Sequence, residues 1–213
     1  MNLLGWMSMV VMAQAAGAGE VIRLPPPDTT GGATLSLSLA ARRSVRSFGE
    51  EPLTVAQIGQ LLWAAQGMTD AVRGLRTAPS SGALYPLETF VVLPEGVYWY
   101  NPRHHELALK IPRDQRKALQ KAALNQGAVG DAPAVFVFAA VYERVAAKYK
   151  GRATRYVDME AGHACQNLLL QAAAFNLGAV PVGAFHDDRI AELLKLPKEA
   201  SPLYLVPVGY PKR

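Results

Sequence analysis

Cysteine is nearly absent: Cys165 is the only one in 213 residues. An intramolecular disulfide is therefore excluded, and no thiolate cluster is available to hold a metal. Charge is sparse as well, at 18% of residues, and no stretch carries five like charges in a row. That removes the basic tail or stripe through which many proteins engage nucleic acid. The histidines lack zinc-type spacing. Neither a Walker lysine after a Gly-rich loop nor a Gly-x-Gly-x-x-Gly stretch is present, so P-loop and Rossmann sites are not indicated. The one long apolar run, Leu3 to Ala18, is too short for a stable membrane span. It ends in Ala13-Gln14-Ala15 and Ala16-Gly17-Ala18, small-x-small patterns suited to cleavage, yet has no Lys or Arg before it. Residues 1–21 therefore read as a weak export signal, which would make the protein periplasmic. The other reading is a disordered or partner-packed N-terminal segment on a cytoplasmic protein.

Half of the residues are hydrophobic, enough to bury one sizeable core, and residues 22–213 read as a single domain. The formal net charge of +5 suits an anionic partner, such as the phosphate of a small cofactor. The densest pattern runs from Tyr156 to Phe185. Ala161, Cys165, Leu168, Ala172 and Phe175 fall at helical spacing on one side, and His163, Asn167, Leu170 and Ala174 on another. A helix apolar on two sides belongs in a core or at a subunit contact. Cys165 lies on it as an inert buried thiol. Asn176-Leu177-Gly178 ends it, with Gly178 expected to supply the left-handed residue. Ala179 to Phe185 is predicted to be a buried strand, and Gly183 to mark close approach to its backbone.

Elsewhere, Ile22 to Gly32 reads as a Pro- and Gly-rich connector and Leu35 to Ala41 as a short helix. Thr54 and Gln57 form a capping-box pattern opening a helix that stops at Gly67. Met68 to Leu84 is predicted to be loop. Thr89–Leu93 and Val97–Tyr100 form a hairpin, Arg113–Leu124 a helix, Ala134–Val141 a central strand and Glu143–Lys148 a short helix. Asp187 and Asp188 are expected to cap a helix through Leu194, and Leu203–Val208 is a last strand. Hairpin, helices and strands mix without regular βαβ alternation, so the class is α+β.

Three groups of residues could carry chemistry. Arg42, Arg43 and Arg46 around Ser44 offer forked donors suited to a phosphate, against the blander reading of a solvated basic turn. Pro79-Ser80-Ser81-Gly82 is an ordinary turn or a loop facing a polar ligand. Asn125-Gln126 is a polar helix end or an amide pair reading the edge of a ring.

In this order, Arg-Arg-Ser-x-Arg-x-Phe, Pro-Ser-Ser-Gly, Asn-Gln before an apolar strand and Pro-Val-Gly-Ala-Phe resemble the FMN-dependent nitroreductase superfamily. The stretches LLWAAQG, SSGALYP, EAGHACQN and VPVGAF are similar to its SagB-type dehydrogenase branch. The resemblance spans Ile22 to Gly209. It implies a nitroreductase-like fold, a mostly antiparallel sheet flanked by helices, and a homodimer with the long helix at its interface and two FMN sites in the seam. It places Arg42, Arg43, Ser44 and Arg46 at the phosphate and ribityl chain, Asn125 at the pyrimidine edge, and Pro181, Val182, Gly183 and Ala184 along the ring. Pro79, Ser80 and Ser81 would reach the partner subunit's flavin. Lys212 and Arg213 stand where the family has C-terminal phosphate contacts, closer to the last strand than is usual. Ala83 departs from the family, in which many members carry Asn. Lys148 and Tyr149 match a pair associated with proton removal in peptide-modifying SagB-type members, against a solvated basic helix end. Glu160 and His163 are candidates for lining the site or the dimer contact.

The implied activity is hydride transfer from NADH or NADPH through FMN to a small nitroaromatic or quinone. The alternatives are dehydrogenation of a peptide-like or other substrate with FMN as acceptor, and a flavin-binding protein without turnover.

Overall fold

The computed structural model describes residues 19–212, so the export-signal reading and Arg213 lie outside the described residues. The chain is built on a seven-stranded sheet. Its strands are β1 (Val21–Arg23), β4 (Leu87–Leu93), β5 (Gly96–Asn101), β6 (Glu106–Ile111), β7 (Ala134–Val141), β8 (Gly178–Ala179) and β9 (Ala200–Gly209). They lie in the order β1-β6-β5-β4-β7-β9-β8, each pair antiparallel. A separate two-stranded hairpin joins β2 (Met68–Asp70) to β3 (Leu75–Arg76).

The sequence of β7 explains the layering. It has no charge and alternates its side chains between two cores, as period-two geometry demands. Ala134, Phe136, Phe138 and Ala140 face one core with Leu61 and Leu62 of α2 (Val55–Gln66) and Leu168 of α6 (Ala153–Ala174). Val135, Val137 and Ala139 face the other, filled from α3 (Arg116–Ala122), α4 (Gly127–Asp131) and α7 (Asp187–Leu194). The sheet thus lies between two helical layers. The remaining helices are α1 (Leu35–Ala41) and α5 (Glu143–Tyr149), the latter running into α6 through a short turn.

Thr54 and Gln57 form the expected reciprocal cap, and α2 ends at Gly67. Several expectations are corrected. Ile22 and Arg23, read as connector, are in β1. Met68–Leu84, read as loop, contains the β2–β3 hairpin and a helical turn at Ser81–Ala83. β6 has no counterpart among the sequence expectations; its Leu107 and Leu109 face one core and Ile111, beyond a register shift, the other. Residues 179–185 are not one continuous strand: after β8 the Val180 N–H donates to Pro207 O at 3.3 Å, and Val182 rejoins β9 as an isolated bridge opposite Leu205. The left-handed residue closing α6 is Asn176, at φ 56°, not Gly178. Asn tolerates that conformation through its short polar side chain. At α7 His186 is the capping position, without a side-chain cap, while Asp187 and Asp188 occupy the first turn and complement the helix dipole.

Candidate functional site

Residues 42–49 form an arm held on two sides. The Val45 N–H donates to the Ala179 carbonyl at 3.1 Å, and Ser44 pairs with Ala179 in parallel. On the other side Gly49 N–H donates to Tyr210 O at 2.9 Å and Lys212 N–H to Ser47 O at 3.0 Å. Gly178 makes the first contact possible, because a Cβ there would lie 2.6 Å from Val45 Cβ.

On this arm Arg42 is half-buried and Arg43, Ser44 and Arg46 are exposed. Among the described residues none of the three guanidiniums has a carboxylate within 4.0 Å. Arg43 donates from Nη1 to the carbonyls of Ala40 and Arg42 at 2.9 and 2.7 Å, which curls it over the end of α1. Arg42 and Arg43 line a cavity of about 300 Å³ with Leu169, Ala173 and Ala179. Arg46 and Lys212 line a different one, of about 740 Å³, with Arg116 and Lys117. Those last two cations are already paired, with Asp114 and Asp131. The basic cluster of the sequence is thus divided between two sides of the arm.

From Ala179 the chain continues along β9. Val182 is buried and exchanges two hydrogen bonds with Leu205, at 2.8 and 2.9 Å. Pro181 is half-buried, and Gly183 and Ala184 are exposed. Among the described residues the Gly183 and Ala184 N–H groups donate to no protein acceptor. A Cβ at Gly183 would meet only Tyr204 Cε1, at 3.9 Å. Gln126 fixes this segment by donating from Nε2 to Ala184 O at 2.8 Å, and His186 N–H donates to Ala122 O at 2.9 Å. Asn125 is exposed with φ 60°, beside that clamp. The arm and the Asn125–Gln126 turn therefore meet the two ends of one segment, 179–184. The clamping role of Gln126 was not legible in the sequence beyond its place in the Asn-Gln pair.

Pro79, Ser80 and Ser81 belong to a second assembly. Ser80 Oγ accepts the Tyr85 N–H at 2.9 Å. Gly82, Ala83 and Tyr85 all have positive φ, 62°, 54° and 46°. Such crowding of left-handed residues stores strain, most at the two that are not glycine. Ala83 thus occupies a conformation that Asn would adopt more easily. Lys148 and Tyr149 pack on this loop, since a Cβ at Gly82 would lie 2.8 Å from Tyr149 Oη and 3.0 Å from Lys148 Nζ. Tyr149 also meets Tyr156 edge-on at 5.1 Å.

Beneath the loop lies Glu160, 2% exposed, with neither carboxyl oxygen hydrogen-bonded among the described residues. Burial raises its pKa to about 7, and the nearby Ser80 hydroxyl and Arg76 guanidinium only partly oppose this. The folded state therefore holds this proton more tightly than the unfolded chain. The stability it contributes is full below pH 4.5 and is lost as pH rises through about 7. Glu160→Gln should remove that slope. In urea unfolding, the variant should match the parent near pH 4.5 and exceed it above pH 7 by roughly 2 kcal/mol. A pH-independent difference would contradict this assignment. Burial likewise pushes the Cys165 thiol up to about 12, which keeps it inert.

The two assemblies sit at different points along α6, the loop near Glu160 and the arm near Ala173. At about 1.5 Å per residue the separation is roughly 20 Å. One face of α6 is buried, with Ala161, Cys165, Leu168 and Ala172, while Met159, His163 and Gln166 on another face are exposed. On α1 the usual pattern is inverted: Leu35, Leu37 and Leu39 are 65%, 62% and 53% exposed, and Ser38 is buried. No metal-binding group of His, Cys, Asp or Glu occurs among the described residues, and no helix there is long and apolar enough to cross a membrane.

Comparison with known proteins places these features in context. The model of the nitroreductase family matches residues 39–210. A nitroreductase homologue of Methanocaldococcus jannaschii is 44% identical over 177 residues, covering 80% of this chain and 88% of its own. The crystal structure of a nitroreductase homologue from Ralstonia eutropha superposes with a TM-score of 0.84 at 33% identity, covering 93% of both chains. The FMN reductase [NAD(P)H] of Bacillus subtilis is 23% identical over 188 residues, 82% of this chain and 64% of the relative.

Proposed function

Because the chain belongs to the nitroreductase family, we propose that it is an FMN-dependent oxidoreductase driven by NADH or NADPH and acting on a small nitroaromatic or quinone. The observation that carries this reading is the Arg42–Arg46 arm docked on Ala179, its guanidiniums without a carboxylate partner among the described residues, next to exposed N–H groups at Gly183 and Ala184 that donate to no described acceptor. These residues fit the cofactor. Arg42, Arg43 and Ser44 suit a phosphate and its ribityl chain on one side of the arm, whereas Arg46 lies on the other; Asn125 suits an exposed amide edge, and Gly183 a flat ring that a side chain would obstruct. Lys212, anchored to Ser47 through its backbone, adds a cation on the Arg46 side.

When bound, FMN supplies two-electron transfer between nicotinamide and acceptor. The chain contributes the rest. Its guanidiniums neutralise the phosphate, the 181–184 segment presents fixed backbone donors, and the strained Ser80–Tyr85 loop presents Pro79, Ser80 and Ser81 to a neighbouring face. Since arm and loop lie roughly 20 Å apart along α6, a complete site takes the arm of one subunit and the loop of another. A homodimer related by a two-fold axis supplies that, and the exposed leucines of α1 together with Met159 give it an apolar surface to bury.

The packing of Lys148 Nζ and Tyr149 Oη on Gly82 favours a second reading, a SagB-type dehydrogenase in which Lys148 takes a substrate proton and FMN accepts the electrons. An absorbance spectrum separates the possibilities. A flavin band that bleaches with NADH or NADPH and recovers with a nitroaromatic or quinone supports the reductase. A band bleached by dithionite but inert to both nicotinamides supports the dehydrogenase, or a flavin binder without turnover. Failure to take up FMN overturns all three.

A further inference from the structure

We propose that the cavity where α2, β3 and the β4–β5 hairpin meet is a binding site for a small carboxylate, with Arg76 as its counter-ion. The cavity holds about 220 Å³, and its wall includes Gln66, Arg76, Thr89, Asn101, Arg103 and Arg144. It shares no residue with the arm or with the 179–184 segment.

The charge around it is unbalanced. Glu88, the acid in its wall, is already engaged by Arg144 and by Trp99 Nε1, the latter at 2.7 Å. Arg76 has no carboxylate within 4.0 Å among the described residues. It lies over the Tyr85 ring at 4.5 Å and donates from Nη1 to Gln66 Oε1 at 2.9 Å. That bond fixes the Gln66 amide, turning its NH₂ away from Arg76. Gln66 Nε2, Arg76 Nε and Thr89 Oγ1 are each buried without a partner among the described residues. Three different elements, α2, β3 and β4, thus each bring to the cavity a residue that carries one such group.

Unmade bonds of buried donors are expensive, and all three groups can donate, so the wall calls for acceptors rather than donors. The surrounding guanidiniums exclude a cation. The Nε–Nη2 edge of Arg76, left free by the Gln66 bond, has the fork geometry of a planar carboxylate. Arg76 N–H donates to Tyr85 Oη at 3.1 Å and Arg144 to Tyr85 O at 3.2 Å, so an occupant also bears on the strained Gly82–Tyr85 segment.

The test is titration of the full-length, FMN-loaded protein with acetate and succinate, against inorganic phosphate and against NaCl at matched ionic strength. It is read by calorimetry and by amide NMR shifts. Saturable succinate or acetate binding at millimolar concentration, with shifts centred on Thr89 and Asn101, is the expected result. Thr89→Val should leave flavin content and unliganded stability intact, since it deletes an orphaned hydroxyl, yet weaken carboxylate binding roughly tenfold. Arg76→Met should abolish binding. Three results would overturn the proposal: no saturable carboxylate binding, phosphate binding more tightly than carboxylate, or unchanged affinity in Thr89→Val. Should the protein bind no FMN, the same titration on the unloaded chain tests this site independently.

Discussion

Gly178→Ala is expected to lower stability and strip flavin together. The added methyl would sit 2.6 Å from Val45 Cβ and 2.7 Å from its Cγ1, well inside contact distance. Neither side can yield easily, because Gly178 pairs with Gly209 in the sheet and Val45 N–H is bonded to Ala179 O. Overpacking of this kind costs about 1–3 kcal/mol. The cheapest relief is for the arm to lift from β8, which carries Arg42, Arg43, Ser44 and Arg46 away from the 181–184 segment. FMN affinity should then fall by roughly tenfold or more. Gly183→Val is the matched control. Its Cβ meets nothing closer than 3.9 Å, so the fold should keep its parental unfolding midpoint while flavin binding or reduction is impaired. Denaturant unfolding and flavin absorbance on both variants check this. Normal flavin uptake and normal reduction in Gly183→Val would show that the ring lies elsewhere.

Mixing two inactive variants is expected to restore activity. An arm variant, Arg42→Ala with Arg43→Ala, damages one half-site. A loop variant, Gly82→Val, damages the other, because its side chain meets Tyr149 Oη and Lys148 Nζ at a residue with φ 62°. If each site takes its arm and its loop from different subunits, a heterodimer carries one doubly damaged site and one intact site. Unfolded and refolded together, an equal mixture should recover about a quarter of parental turnover, as half of the dimers hold one good site of two. No recovery, with heterodimers confirmed by mass, would show that arm and loop serve the same subunit. A flavin-loaded monomer at high dilution would end the shared-site reading altogether.

Much of this was legible in the chain because local physics fixes it. The Ala134–Val141 strand has no polar residue and could only lie in the middle of a sheet, and Thr54 with Gln57 wrote the start of α2 in four residues. The long helix announced itself by two-sided periodicity. Other features escaped because distant residues decide them. Gly178 resembles a helix terminator in sequence, yet its small size matters to Val45, and Asn176 takes the left-handed turn. Short strands such as β1 and β8 exist only because an edge of the sheet was available to pair with them.

The order of apolar, small and turn-forming residues determined an α+β chain with a hairpin, a central strand and a long helix apolar on more than one side, and placed an arginine cluster ahead of them. Tertiary structure alone decided which residues meet. It docked the arm on Ala179, sent Arg46 to the opposite side from Arg42, buried Glu160 without a partner and gathered Gln66, Arg76 and Thr89 around one cavity. The physical reason is range. Periodicity and capping act within a few residues, whereas desolvation and pairing depend on whatever the folded chain brings alongside.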